Sequence, residues 1–269
     1  MSAALAAARA KLPAGEARLL LGHVLDRSAA WLVSHDDQVL DEDELLAFAS
    51  LVARRADGEP VAYLLGRREF FGREFTVSSA VLIPRPETEL LVDIALAGVD
   101  AGGTARILDL GTGSGCIAIT LALEIPQAQV TAVDASAAAL GVAQQNAERL
   151  GAEVRLLQSH WFDGLAGERF DLVVTNPPYI AAADPHLLAG DLRREPVAAL
   201  ASGADGLDAI RQIVAAAPAH LAPGGWLWLE HGYDQAEAVR ALLAAAGLSA
   251  IDQHRDLAGI VRVSGGRRA

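Results

Sequence analysis

The stretch Arg106-Ile107-Leu108-Asp109-Leu110-Gly111-Thr112-Gly113-Ser114-Gly115-Cys116 packs three signals into a short run. Arg106 to Leu110 reads as a buried strand, and the apolar pattern from Cys116 to Glu124 reads as a helix. Between them, three glycines let the backbone turn tightly and approach a ligand closely, because no Cβ stands in the way. A strand that gives way to a helix through such a loop is the opening unit of an α/β domain with a parallel sheet.

The segments downstream repeat that order. Val130 to Asp134, Val154 to Leu157, Leu172 to Thr175 and Trp226 to Glu230 are further buried-strand candidates, and Ala137 to Leu150, Leu207 to His220 and Gln235 to Ala246 are helical. The alternation predicts a mostly parallel sheet covered on both faces. Ile251 to Gln253 and Gly259 to Val263 look like a closing strand pair.

The upstream segments differ. Met1 to about Gly66 has helical spacing without strand signals, with Asp41 and Glu44 placed as a capping box and Pro60 suited to a first helical turn. Glu69 to Ile83 is aromatic and β-branched around Gly72, which predicts a hairpin; Pro84 and Pro86 stiffen a connector, and helical periodicity resumes at Glu89. The expected organisation is a helical unit over 1–66, a hairpin and connector over 67–88 and a ligand-binding α/β domain over 89–269.

Composition narrows the partners. Acidic residues outnumber Lys and Arg by 34 to 22, so no basic footprint for nucleic acid is present. One cysteine, Cys116, allows neither an internal disulfide nor a thiolate metal site, and a reduced cytoplasmic setting without a metal is expected. Arg9 and Lys11 interrupt the alanine-rich start before a signal-peptide core forms, and no apolar run reaches the roughly 18 residues of a membrane span. A monomer with no membrane partner is the expectation.

Two motifs carry chemistry. The glycine loop, Gly111, Thr112, Gly113, Ser114 and Gly115, has G-x-G-x-G spacing, whereas the dinucleotide fingerprint is G-x-G-x-x-G; the difference favours S-adenosylmethionine over a nicotinamide or flavin. Asp109 precedes the loop, and Asp134 ends the next strand, where a carboxylate would accept from both ribose hydroxyls. Trp161, after the third strand, is either an adenine-stacking face or a core residue. Cys116 and His231 read as structural.

The second motif, Asn176-Pro177-Pro178-Tyr179, follows the strand ending at Thr175. Two prolines fix its backbone and remove two donors, leaving an acceptor surface. A planar amide nitrogen is a poor nucleophile because its lone pair is delocalised. The Asn176 side-chain oxygen and the Pro177 carbonyl are placed to accept its two hydrogens, with Tyr179 packing against the planar group. The proton then leaves to water, and no histidine in the motif serves as a base.

Together these residues resemble class I methyltransferases of the Asn-Pro-Pro-Tyr type, and most of all the release-factor glutamine methyltransferases. The likeness runs almost end to end. It includes Gly66 to Gly72, Ile83-Pro84-Arg85-Pro86-Glu87-Thr88-Glu89, Gln158 to Phe162, Asp184 to Leu187, Glu195-Pro196 and Leu229 to Gly232. The resemblance implies a Rossmann-like sheet, S-adenosylmethionine as methyl donor, and methylation at N5 of the glutamine in the Gly-Gly-Gln motif of peptide-chain release factors. It implies that Gly111 to Gly115, Asp134, Trp161 and Asn176 contact the cofactor, that Arg85, Thr88 and Glu89 lie near its methionine end, and that Asn176, Pro177, Pro178 and Tyr179 hold the glutamine amide. His160 departs from the pattern, which has an acidic residue before this tryptophan. Three alternatives share parts of the signal: a glutamine methyltransferase for a ribosomal protein, a DNA adenine N6-methyltransferase, and a non-catalytic module that binds cofactor or release factor. Ile83 to Glu89 fits the release-factor branch, and the basic channel that base flipping normally accompanies is missing from the sequence.

Overall fold

In the computed structural model, which describes residues 1–99 and 104–269, the chain begins with five helices: α1 (Ser2–Ala8), α2 (Ala14–Leu25), α3 (Ala29–Ser34), α4 (Glu42–Ala56) and α5 (Val61–Leu65). Leu5, Leu20, Leu21, Leu32, Phe48, Val52 and Leu64 form their own apolar core. At the start of α4, Asp41 and Glu44 close a reciprocal capping box, each side chain accepting from the other's backbone N–H at 2.8 and 2.9 Å.

The hairpin is tighter than its pattern predicts. β1 (Arg67–Phe70) and β2 (Arg73–Thr76) pair antiparallel. The β-branched run that follows leaves the ladder, and Val77 and Val81 bury themselves against Ala139 and Val142 of the sheet domain. Apolar β-branched residues are equally at home in a packed loop, which is why composition overextends this element. Asn146 pins the hairpin down: its amide accepts from Thr76 N–H at 2.7 Å and donates to the carbonyls of Thr76 and Ser114.

After α6 (Glu89–Gly98) come β3 (Arg106–Leu110), α7 (Cys116–Glu124), β4 (Gln129–Asp134), α8 (Ala137–Leu150), β5 (Val154–Gln158) and β6 (Phe170–Thr175). The chain closes with α9 (Asp208–His220), β7 (Leu221–Glu230), α10 (Ala236–Ala245), β8 (Ser249–Arg255) and β9 (Val261–Arg267). The sheet order is β5-β4-β3-β6-β7-β9-β8, with β5 through β7 parallel and β9 and β8 antiparallel at one edge. Residues from α6, α7 and α8 fill one face, and those of α9 and α10 the other.

Both terminal strands run longer than the sequence predicts, β9 continuing through Gly265 and Gly266. A Cβ at Gly265 would overlap the Trp228 ring, so the glycine serves close packing across the ladder. The strand order reverses between β3 and β6. At such a switch point the connections diverge to opposite sides and leave a crevice beyond the carboxyl ends of the strands, where open α/β sheets bind ligands.

Candidate active site

A cavity of about 510 Å³ opens at that crevice, a size suited to a small-molecule ligand. Its lining brings together Gly111 to Ser114, Asp134, Trp161, Asn176, Pro178, Arg85 and Thr88. Asp109, Gly115, Glu89, Pro177 and Tyr179 lie outside the lining.

The β3–α7 loop is shaped by backbone. Gly111, Gly113 and Gly115 all have positive φ, at 72°, 56° and 82°. The N–H groups of Gly111 and Thr112 both donate to the Val133 carbonyl at 2.9 Å. Behind the loop Asp109 is fully buried and accepts from the Thr112 hydroxyl at 2.6 Å; burial pushes its carboxyl up to about 7, against the pull of that bond. Asp134 accepts from Gly113 N–H at 2.9 Å through one oxygen and from Ser136 N–H at 2.8 Å through the other. Each oxygen keeps a lone pair for a hydroxyl in the cavity.

Trp161 faces the same loop. Its ring lies where a Cβ on Gly111 would make contact at 3.4 Å, and its indole N–H donates to Gln212 Oε1 at 3.1 Å. Its φ of 46° is a left-handed value that a bulky residue adopts only under constraint, and such constraint clusters at functional sites. His160 also lines the cavity, with Nδ1 3.8 Å from Asp163.

At the carboxyl end of β6, Asn176 is held from behind. Its Nδ2 donates to Thr88 Oγ1 at 3.0 Å; Thr88 Oγ1 donates to Glu230 Oε2 at 2.7 Å; and the Tyr179 hydroxyl donates to Glu230 Oε1 at 3.2 Å. The Asn176 Oδ1 is buried and has no hydrogen-bond partner within the protein. A buried acceptor without a donor is costly unless a ligand supplies one. Tyr179 is fixed further by Gln235 Nε2, which donates to its carbonyl at 2.9 Å, and by Gly206, where any Cβ would strike that carbonyl.

The remaining wall is a strap. Pro196, Ala198 and Ala199 line the cavity, and the neighbouring Glu195 is buried, accepting from Ile83 N–H at 3.0 Å and pairing with Arg85. The strap also reaches the helical unit: Arg55 pairs with Asp191 at 2.7 Å, and Arg193 and Arg194 donate to the Asp57 carbonyl. Glu89 points elsewhere, accepting from Phe71 N–H at 2.9 Å to tie the hairpin to α6.

Residues 87–205 match the methyltransferase small domain, and residues 1–66 the PrmC N-terminal domain. Over 256 residues the chain is 56% identical to the release factor glutamine methyltransferase of Bordetella pertussis, covering 95% of both chains. It is 54% identical to the enzyme of the same name from Xylella fastidiosa, covering 98% of this chain and 97% of that one. The chain belongs to the release factor glutamine methyltransferases. The sheet architecture is also shared with a methyltransferase from Pyrococcus furiosus, at a TM-score of 0.57 and 18% identity, covering 82% of this chain and 99% of that one.

Reasoning from sequence missed three side chains of this methyltransferase's site: Glu230, Glu195 and Gln235. For Glu230 the signal was present, since a carboxylate ending a buried strand at the ligand edge needs a partner. Glu195 stood in the Glu195-Pro196 segment of the family likeness but without a role, and Gln235, at the start of α10, left no local trace. Cys116 is buried and its thiol pushed up to about 12, so it is no nucleophile near neutral pH. His231 is buried between Ser264 and the Gly232 carbonyl, and burial lowers its pKa. Among the described residues no helix is long and apolar enough to cross a membrane.

Proposed function

We propose that this enzyme transfers the methyl group of S-adenosylmethionine to the side-chain amide nitrogen of the glutamine in the Gly-Gly-Gln motif of cytoplasmic peptide-chain release factors. The observation that carries the reading is the buried, partnerless Oδ1 of the cavity-lining Asn176, an acceptor that an amide N–H would satisfy. The activity of the relatives supports the substrate.

The residues present fit the cofactor. The glycine loop keeps its backbone open, Asp134 offers its free lone pairs to vicinal hydroxyls, and the Trp161 ring offers a stacking face. Bound there, S-adenosylmethionine supplies an electrophilic methyl on a sulfonium. The chain's own contribution is to hold the amide. Asn176 Oδ1 and the Pro177 carbonyl accept its two hydrogens, which weakens delocalisation of the nitrogen lone pair and fixes its direction. Catalysis of this kind is positioning plus preorganised dipoles, and the proton is released to water. Glu230 and Tyr179 both have pKa values raised, chiefly by burial, and neither is needed as a base.

For the helical unit we propose docking of the protein substrate, since a free glutamine would not require it. A single chain supplies every group invoked here, so the reading needs no second copy. Incubation with methyl-labelled S-adenosylmethionine and either a release factor or DNA tests it. Label on the Gly-Gly-Gln glutamine is expected; label confined to DNA, or none, would remove the reading.

A further inference from the structure

Asn176 can serve as an acceptor only if its amide is turned the right way, and the two ends of an amide are nearly identical in shape. Nothing in the Asn-Pro-Pro-Tyr segment itself fixes that choice. The groups behind it do. Glu230 is 2% exposed and receives hydroxyl donors on both oxygens, from Thr88 at 2.7 Å and Tyr179 at 3.2 Å. A hydroxyl has one proton. Because Thr88 gives its proton to Glu230, only lone pairs remain on Oγ1 to face Asn176, and these demand a donor. The Asn176 Nδ2 supplies it at 3.0 Å, and Oδ1 of this cavity-lining residue is left buried without a partner. The reversed amide would set two acceptors against each other at Thr88 and point an NH₂ into the cavity.

We propose that Glu230, acting through Thr88, fixes the polarity of the Asn176 amide, and that this polarity selects an amide over a carboxylate as the group to be methylated. An acceptor at the cavity favours the NH₂ of glutamine and disfavours the oxygens of glutamate. Such a site rejects the wrong isostere because a mismatch leaves buried groups unpaired or opposed. Thr88 and Glu230 are positioning residues, reached from β7 and from the start of α6, far from the motif in sequence. The proposal rests on the glutamine methyltransferase reading given above.

The test uses the full chain, a release factor as substrate, and as competitor the same release factor with glutamate in place of the target glutamine. Labelling of the wild-type reaction checks the parent reading by itself; its absence would overturn that reading and this one with it. In E230Q the new side-chain NH₂ can donate to Thr88 and turn its proton toward Asn176, and T88V removes the relay altogether. Both are expected to bind S-adenosylmethionine within about fivefold of wild type, while kcat falls about 10- to 100-fold and KM for the release factor moves less. Inhibition by the glutamate form is expected to tighten about tenfold, an effect that general loosening of the site would not produce. T88S, which keeps the hydroxyl, is expected to restore most of the turnover lost in T88V. Wild-type kcat in T88V, failure of T88S to restore it, or unchanged inhibition by the glutamate form would each overturn the proposal. Where E230Q does not fold, the T88V and T88S pair decides alone.

Discussion

The two sides of the cavity are built by different means. Around β3 and β4 the polar groups are mostly backbone N–H groups and carbonyls, arranged by glycines within a stretch of some two dozen residues and tied to Asp134. Around β6 and β7 they are side chains drawn from residues 88, 176, 179 and 230, and one acceptor is left without a partner. The first side also keeps two buried side-chain oxygens without partners, Asp109 Oδ1 and Ser114 Oγ, but the groups facing the ligand there are chiefly backbone. On the second side Asn176 Oδ1 lacks a donor, which the proposed substrate amide would supply. Binding and chemistry are thereby separated in space, so a change on one side should leave the other readable.

The sharpest way to break that separation is Asn176→Ala. Turnover is expected to fall about 10²- to 10³-fold while cofactor affinity, measured by calorimetry, stays near wild type, because the lost acceptor matters most as the nitrogen becomes pyramidal. Equal losses in both would merge the two sides. Trp161→Ala is the reverse experiment. Loss of a stacking face is expected to weaken cofactor binding by about 1–3 kcal/mol, with kcat at saturating cofactor changed far less.

A third probe sharpens the account of the β3 side through pH. Burial raises the Asp109 carboxyl from its usual value of 3.8 to about 7, so between those limits the folded chain holds a proton that the unfolded chain releases. Stability should therefore decline as pH rises through that window and level off above it. Asp109→Asn is expected to flatten that decline in denaturant titrations across the window; an identical slope in the variant would mean that Asp109 is not the group responsible. The smallest effect concerns the strap on the β6 side. Asp191 is partly exposed, and Arg55 keeps its bidentate partner Glu16 when Asp191 is lost, so Asp191→Ala should cost about 1 kcal/mol or less in stability. Its kinetic signature should be a higher KM for the release factor with unchanged cofactor affinity, and a KM insensitive to the change would detach the strap from substrate binding.

The same contrast explains how much was legible in the sequence. The sheet and the glycine loop could be read because each part of their signal is local: continuous apolar runs for parallel strands, and Gly111, Gly113 and Gly115 where positive φ is required. The Asn-Pro-Pro-Tyr segment could be read for the same reason. Its support could not, because Thr88 was expected near the cofactor's methionine end and Glu230 only as the end of a strand, and only the fold brings them into one hydrogen-bonded row with Asn176. The overextended hairpin and the shortened β9 are errors of the opposite kind. There, local composition was informative about burial, but packing against Ala139 and Val142, and against Trp228, overrode it.

The bond from Arg55 to Asp191 spans 136 residues of chain. Synthesis runs from the amino end, so the helical unit, with a core drawn entirely from residues 5 to 64, can consolidate before the strap has been made. Closing so long a loop is entropically unfavourable until the sheet between its ends has formed. The wall of the cavity consequently cannot close before the chain has been made through Asp191, and a nascent chain shorter than that presents its methyl-transfer crevice uncovered.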